Sequence, residues 1–298
     1  MASNQGKPKT FLVTGATGQQ GGVVARALMA QGHKVRAFTR NAAKASALQK
    51  QGAEIHVGDF ERPETVEKAA RGVDGAFIVA TPFEKGPEAE TREGINAIDA
   101  CKRAGVKHIV YSSVSDADND TGIPHFDSKR RIEEHLEGLG VSYTIVAPVF
   151  FRENLQSAWM APALQQGNLP LALPGDRGLQ SVELREIGQF SAKALTHPEQ
   201  FRGQRINLAS DESTPLEMAK AVTQASGQTV RHTPPPLDQV RKQSEDQALM
   251  WKWFDDVGYS ADIDALRREH PDIQWRGFAE WANEAWPARR VQAATTKT

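Results

Sequence analysis

The sequence predicts an α/β protein, a doubly wound parallel sheet with a smaller, mostly helical C-terminal domain. Three observations predict it. Short apolar runs alternate with amphipathic segments through the first half of the chain. A glycine-rich turn joins the first apolar run to the first helix. After Pro148 the alternation gives way to turn-rich and then mostly helical sequence. Regular β-α-β-α order places helices on both faces of a parallel sheet.

The strands are expected at Phe11–Thr14, Lys34–Thr39, Ala53–Val57, Gly75–Val79, His108–Ser113 and Ser142–Ala147. Between them the spacing predicts helices at Gly21–Ala30, Ala43–Gln51, Pro63–Ala70, Pro87–Ala104 and Phe126–Gly138. Pro63 and Pro87 suit first-turn positions, and Gly105 and Gly140 suit helix exits. The stretch Leu169–Gly178 is rich in turn residues. Leu179–Val182, a helix over Leu184–Thr196 and a strand at Arg205–Ala209 read as a return to the first unit. Thr214-Pro-Leu-Glu217 is a capping-box pattern opening a helix through Val222. These elements divide into a nucleotide-binding domain, 8–154 plus 179–209, and a small domain for substrate or partner, 155–178 plus 210–286. The small domain is expected to form a cleft over the carboxyl ends of the strands. Residues 1–7 and 291–298 are expected to be disordered.

The chain has 298 residues and a formal net charge of −1, with 36 basic and 37 acidic side chains. Such balance gives no electrostatic footprint for nucleic acid or an acidic membrane, and Arg289-Arg290 is too short a basic patch. A single cysteine, Cys101, allows no internal disulfide and reads as packing in a helix. No apolar run is long enough to span a bilayer, and the polar start lacks a signal core, so a cytoplasmic protein is expected. H-E-x-x-H and paired C-x-x-C are missing, so no metal site is expected. The G-x-S-x-G elbow and the G-K-[ST] ending of a P-loop are missing too.

The chemistry concentrates at Thr10-Phe-Leu-Val-Thr-Gly15-Ala16-Thr17-Gly18-Gln19-Gln20-Gly21. A strand, a tight glycine turn and a helix start follow one another there. The unpaired amides and the dipole of a helix N-terminus favour a phosphate. Gly15 permits the turn, Gly18 lets a pyrophosphate approach, and Gly21 lets the helix pack on the strand. Residues 15 to 21 are therefore expected to hold a dinucleotide. NAD-binding versions of this unit carry an acid near the end of the second strand, for the ribose 2′-hydroxyl. Here that strand ends Phe38-Thr39-Arg40-Asn41, with Lys44 four residues on from Arg40. A guanidinium can grip a 2′-phosphate with two parallel hydrogen bonds, which predicts NADP(H) in preference to NAD(H). Asp59 and Phe60 follow the third strand and are expected near the adenine, Asp59 as an acceptor and Phe60 as a packing surface. Ala80, Thr81 and Pro82 follow the fourth strand and are expected on the dinucleotide's other side.

The fifth strand ends Tyr111-Ser112-Ser113, and the next helix opens His125-Phe-Asp-Ser-Lys129. This resembles the short-chain dehydrogenase/reductase superfamily, whose typical members carry a Tyr four residues before a Lys on one helix face. Here Lys129 is present and His125 stands at the Tyr position. That departure, with Gly15–Gly21, Thr39-Arg40-Asn41 and Phe151-Arg-Glu-Asn154, resembles the NmrA-like family of atypical short-chain dehydrogenases/reductases. The resemblance covers most of residues 8 to 210. It implies a Rossmann fold that binds NADP(H). It also implies cofactor contacts at Gly15–Gln20, Arg40, Lys44, Lys129 and the segment holding Phe151, Glu153 and Asn154. Some members are regulators that respond to the NADPH/NADP ratio. Others reduce quinones, dyes or plant phenolics, often relying on Lys without Tyr.

The catalytic candidates are Lys129 as a ribose-binding cation, His125 as a proton donor and Ser112, with its neighbour Ser113, as a substrate or nicotinamide contact. Trp251, Trp253, Trp275, Trp281 and Trp286 read as the packed core of the small domain more readily than as an aromatic cleft. The missing Tyr favours a redox- or cofactor-sensing regulator that acts on a protein partner. The alternative is an NADPH-dependent reductase of a quinone, enone, carbonyl or aromatic small molecule. The sequence leaves the substrate, the partner and any oligomer open.

Overall fold

A computed structural model describes residues 7–286, so most of the expected disordered termini lies outside the described residues. The strands in chain order are β1 Thr10–Val13, β2 Lys34–Thr39, β3 Glu54–Val57, β4 Gly75–Ile78, β5 His108–Ser112, β6 Ser142–Pro148, β7 Phe150–Phe151, β8 Asn168–Leu169, β9 Leu179–Val182, β10 Gln204–Leu208, β11 Asp211–Ser213 and β12 Arg231–His232. The α-helices are α1 Gln19–Ala30, α2 Ser46–Lys50, α3 Pro63–Ala70, α4 Pro87–Arg103, α5 Pro124–Gly138, α6 Ala161–Gln165, α7 Leu184–Thr196, α8 Pro198–Phe201, α9 Pro215–Ser226, α10 Leu237–Gln243, α11 Glu245–Asp256, α12 Ile263–Glu269 and α13 Phe278–Ala285.

By contact density the chain divides into two compact units. The larger runs to Val149 and takes in Leu184–Ala209 and Tyr259–Gln274. It holds a seven-stranded sheet in the order β10-β6-β5-β4-β1-β2-β3, every pair parallel. β4 and β5 are buried at every residue because helices cover both faces. One face packs Leu12, Ile78, Ile109 and Ile145 against Val66, Ile98, Cys101 and Ile132 from α3, α4 and α5. The other face is covered by α1 and α7, which pack on each other. The chain leaves β1 toward β2 and β3 and then returns to place β4 on the other side of β1. The crevice outside β1 and β4 is therefore the switch point where such sheets bind ligands.

The smaller unit comprises Phe150–Glu183, Ser210–Gly258 and the described chain from Trp275. β9 pairs with β7 and β11 here, so Leu179–Val182, expected to return to the first unit, groups with the smaller one. β8 pairs with β12. The Arg152 guanidinium is wholly buried, donating to Ser181 Oγ at 3.1 Å, Ser210 Oγ at 2.9 Å and the Arg276 carbonyl at 3.0 Å. Arg276 in turn pairs with Glu183 at 2.6 Å. All six tryptophans fall in this unit. Trp251 meets Phe254 edge-on at 5.6 Å and Trp281 meets Trp286 at 5.2 Å, a packed aromatic core.

The segment Tyr259–Gln274, expected in the small domain, groups with the larger unit. Specific polar contacts hold it there. Buried Asp116 accepts from the Ser260 amide at 3.1 Å, and Lys193 pairs with Asp272 at 2.5 Å. The helix expected over Ala43–Gln51 splits into a 3-10 turn, Ala42–Ala45, and α2. Asn41 Oδ1 accepts from the Ala43 amide at 2.9 Å and starts that turn. α9 continues four residues past the expected Val222 to Ser226.

Candidate functional site

The glycine turn leaves β1 at Thr14, whose amide and hydroxyl both donate to the Phe77 carbonyl, at 3.0 and 3.1 Å. The Val79 amide donates to Thr14 Oγ1 at 3.0 Å, which fixes the exit of β4 beside the exit of β1. Gly15 has φ +57°, and a Cβ there would stand 2.7 Å from Val79. A Cβ on Gly21 would collide with the backbone carbonyls of Thr14 and Gly15. Gly18 starts α1 without a side-chain cap, and no acidic residue stands in the first turn. Its first amides are thus unanswered by the helix itself and create a positive potential in front of the turn.

Beside this turn lies a cleft of about 390 Å³. Its walls include Gly15, Thr17 and Gly18 from the turn, Thr39, Arg40, Asn41 and Lys44 after β2, Asp59 and Phe60 after β3, and Ala80 and Thr81 after β4. The structure thus brings nine of the eighteen predicted cofactor residues together around this cleft. Ala16 and Pro82 are buried behind the lining, Gln19 is exposed at the start of α1, and Gln20 and Gly21 follow within its first turn. Phe60 stacks on Phe38, with ring centres 5.8 Å apart and planes 11° from parallel. Asp59 Oδ1 accepts from the Glu61 amide at 2.9 Å.

Arg40 carries a contact that the sequence does not announce. Its two terminal nitrogens meet the two carboxylate oxygens of Glu84 at 2.5 and 2.6 Å, and both side chains are about half exposed, at 55% and 52%. Arg40, with smaller help from Lys85 and Lys44, holds the Glu84 carboxyl below its ordinary range. An exposed pair of this kind contributes less than about 1 kcal/mol. The next residue, Lys85, bridges Glu61 at 3.1 Å and Glu93 at 2.9 Å.

Lys129 is buried, contrary to what its run of basic neighbours would suggest. Its Nζ donates to Glu90 Oε1 at 2.7 Å and to the Ala80 carbonyl at 3.3 Å. Glu90 is fully buried on α4, and its other oxygen accepts from Ser128 Oγ at 2.5 Å. Lys129 therefore sits directly behind the β4 exit that lines the cleft. His125, one turn earlier on α5, is partly exposed and packs edge-on to Phe126 at 4.8 Å, with Phe83 at 6.5 Å. The Ser112 hydroxyl is not available: it is buried and donates to Gln20 Oε1 at 2.5 Å. Its neighbour Ser113 carries a buried hydroxyl with no partner among the described residues. Alternation along the strand sends the two hydroxyls to opposite faces. Phe151, Glu153 and Asn154 belong to the smaller unit, Phe151 in β7 and the others in the 3-10 turn Arg152–Gln156.

Glu84 and Glu90 escaped sequence reasoning. Each is an ordinary acid in a polar stretch, and only the sheet order brings it to its cation. Cys101 is fully buried, and burial pushes its thiol up to about 12, which makes it packing.

The NmrA-like family matches residues 7–283. The NAD(P)H azoreductase of Xenophilus azovorans is 30% identical over 233 residues, 78% of this chain and 79% of that protein. The Photosystem II assembly factor Ycf39 of Trieres chinensis is 28% identical over 197 residues, and the match spans 64% of this chain and only 60% of that protein. Among solved structures, the Citrobacter sp. triphenylmethane reductase complexed with NADP(H) is 25% identical, with a TM-score of 0.78, and the match covers 93% of this chain and 99% of that one.

Proposed function

The chain belongs to the NmrA-like family, and on that premise we propose that it binds NADP(H) and acts as a reductase of an aromatic, quinone or related electron-poor acceptor. The observation that carries the binding half is the glycine turn at the uncapped start of α1, opening on a cleft walled by Arg40 and Lys44. The residues fit such a group: side chains at Gly15 and Gly21 would fill or break the cradle, and Arg40 and Lys44 line the same cleft as cations able to take a phosphate. The reductase half is supported by relatives that are named as reductases.

When bound, reduced nicotinamide supplies hydride. The protein's own residues bind, orient and protonate. The α1 amides and Thr17 would hold the pyrophosphate, and Arg40 and Lys44 would hold a 2′-phosphate. Lys129, fixed by Glu90, braces the β4 exit from behind; its remaining donor would hold the nicotinamide ribose. Ser113 Oγ is a buried donor awaiting a partner, which makes it a better acceptor-contact than Ser112. His125, partly exposed one turn before Lys129 on α5, is the proton source on this reading. Phe151, Glu153 and Asn154 remain proposed nicotinamide-side contacts. A second reading, a cofactor-sensing regulator, is favoured by His125 standing where the superfamily has its Tyr.

The test is NADPH consumption across quinones, enones, aldehydes and aromatic dyes, beside Lys129→Ala and His125→Ala. Turnover that Lys129→Ala lowers by tenfold or more establishes the reductase. Tight NADPH binding with no turnover on any acceptor removes the reductase reading and leaves the regulator.

A further inference from the structure

No acid stands at the end of β2, where a carboxylate would accept the ribose 2′-hydroxyl of NAD. The fold delivers one from elsewhere. Glu84, in the loop after β4, reaches Arg40 and meets it with fork-to-fork geometry at 2.5 and 2.6 Å. A guanidinium offers the same fork to a phosphate. The carboxylate thus occupies the guanidinium fork that a 2′-phosphate would use, and it is the kind of acceptor that an unphosphorylated ribose needs.

Resting on the reading of the cleft as a dinucleotide site, we propose that Glu84 is a specificity-determining residue. It competes with the 2′-phosphate of NADP(H) for Arg40 and accepts the 2′-hydroxyl of NAD(H), so one carboxylate sets the ratio of affinities. Three observations support it. Arg40, Lys44 and Glu84 line the same cleft. The pair is half exposed, so exchange of one anion for another costs little desolvation. The loop is held independently of Arg40, by the Gly86 amide on the Pro82 carbonyl at 2.7 Å and by Lys85 on Glu61 and Glu93. Glu84 is therefore kept beside the ribose position when Arg40 turns to a phosphate.

The experiment is an equilibrium titration of the full chain with NADPH, NADH, 2′,5′-ADP and 5′-AMP. It compares the parent with Glu84→Gln, Glu84→Asp, Arg40→Gln and the Glu84/Arg40 double variant. Glu84→Gln is expected to tighten NADPH and 2′,5′-ADP about fivefold and to weaken NADH and 5′-AMP by about as much, the size an exposed ion pair supports. Glu84→Asp, with the charge kept but withdrawn, is expected to fall between. In the Arg40→Gln background the gain for 2′,5′-ADP is expected to vanish. If Glu84→Gln moves phosphorylated and unphosphorylated ligands alike while Arg40→Gln still weakens NADPH selectively, the role of Glu84 is overturned and the dinucleotide reading stands. If Arg40→Gln weakens both dinucleotides equally, the 2′-phosphate is not on Arg40 and the proposal fails with it. If the parent binds none of the four, the dinucleotide reading itself fails.

Discussion

Glu90 and Lys129 form a pair very different from Arg40 and Glu84, although both join an acid to a base near 2.5–2.7 Å. Glu90 is fully buried and Lys129 is 11% exposed, so each charge depends on the other to offset its lost hydration. Removing one member of a buried pair costs about 3–5 kcal/mol, because the survivor is left uncompensated. Glu90→Ala is therefore expected to destabilise the larger unit by that amount. A denaturation midpoint within error of the parent would show that Lys129 finds water or another acceptor. Neither partner could be matched from the sequence. Lys129 reads as one of three consecutive bases, and only the packing of α4 on α5 gives it a buried acid.

At the scale of an element, α9 shows how much local chemistry can be read directly. Thr214 Oγ1 accepts from the Glu217 amide at 3.2 Å, and Glu217 Oε2 accepts from the Thr214 amide at 2.8 Å, the reciprocal pair the sequence predicted. Thr214→Ala is expected to cost about 1 kcal/mol, seen as faster hydrogen exchange of the first α9 amides. Unchanged exchange would mean that Pro215 at the first turn alone holds the start. These bonds hold the Glu217 carboxyl below its ordinary 4.5. Their contribution is complete above that value and fades as pH falls through the lower folded-state value. Elements of this sort were legible because caps, prolines and apolar periods act within a few residues. The strands of the large sheet accordingly fall within a residue or two of expectation. The partner of a strand is a different matter. Leu179–Val182, Leu-Gln-Ser-Val, is a short mixed stretch that fits either sheet, and the hydrogen bonds that settle it come from Phe150–Phe151 and Asp211–Ser213, far along the chain. The same limit separated Ser112 from Ser113, whose difference lies in Gln20 on another element.

At the scale of the molecule, stability should depend on pH through His108. It lies buried on β5, between Ser142 Oγ at 2.9 Å and Thr144 Oγ1 at 3.2 Å. Burial, reinforced by Arg202, lowers it from 6.5 to about 4. The unfolded chain therefore takes up this proton between pH 6.5 and 4 while the folded chain does not, and stability falls as pH drops through that window. The loss is of the order of 3 kcal/mol at most. Denaturant titrations at the two ends of the window measure it, and His108→Gln is expected to flatten the slope. A parent whose stability is level there would show that His108 is charged in the fold. The functional reading also belongs to this scale. The missing Tyr at position 125 weighs toward a regulator, the named relatives weigh toward a reductase, and no single residue decides between them.

The placement of the indoles has a practical consequence. All six tryptophans lie in the smaller unit, whereas Tyr111, Tyr143 and Tyr259, the only tyrosines, lie in the larger. The chain is thereby colour-coded. Light absorbed by indole alone reports on the smaller unit, and phenol absorbance changes report on the larger. Comparing the two signals in the unlabelled protein tells whether the units melt in one transition or in two.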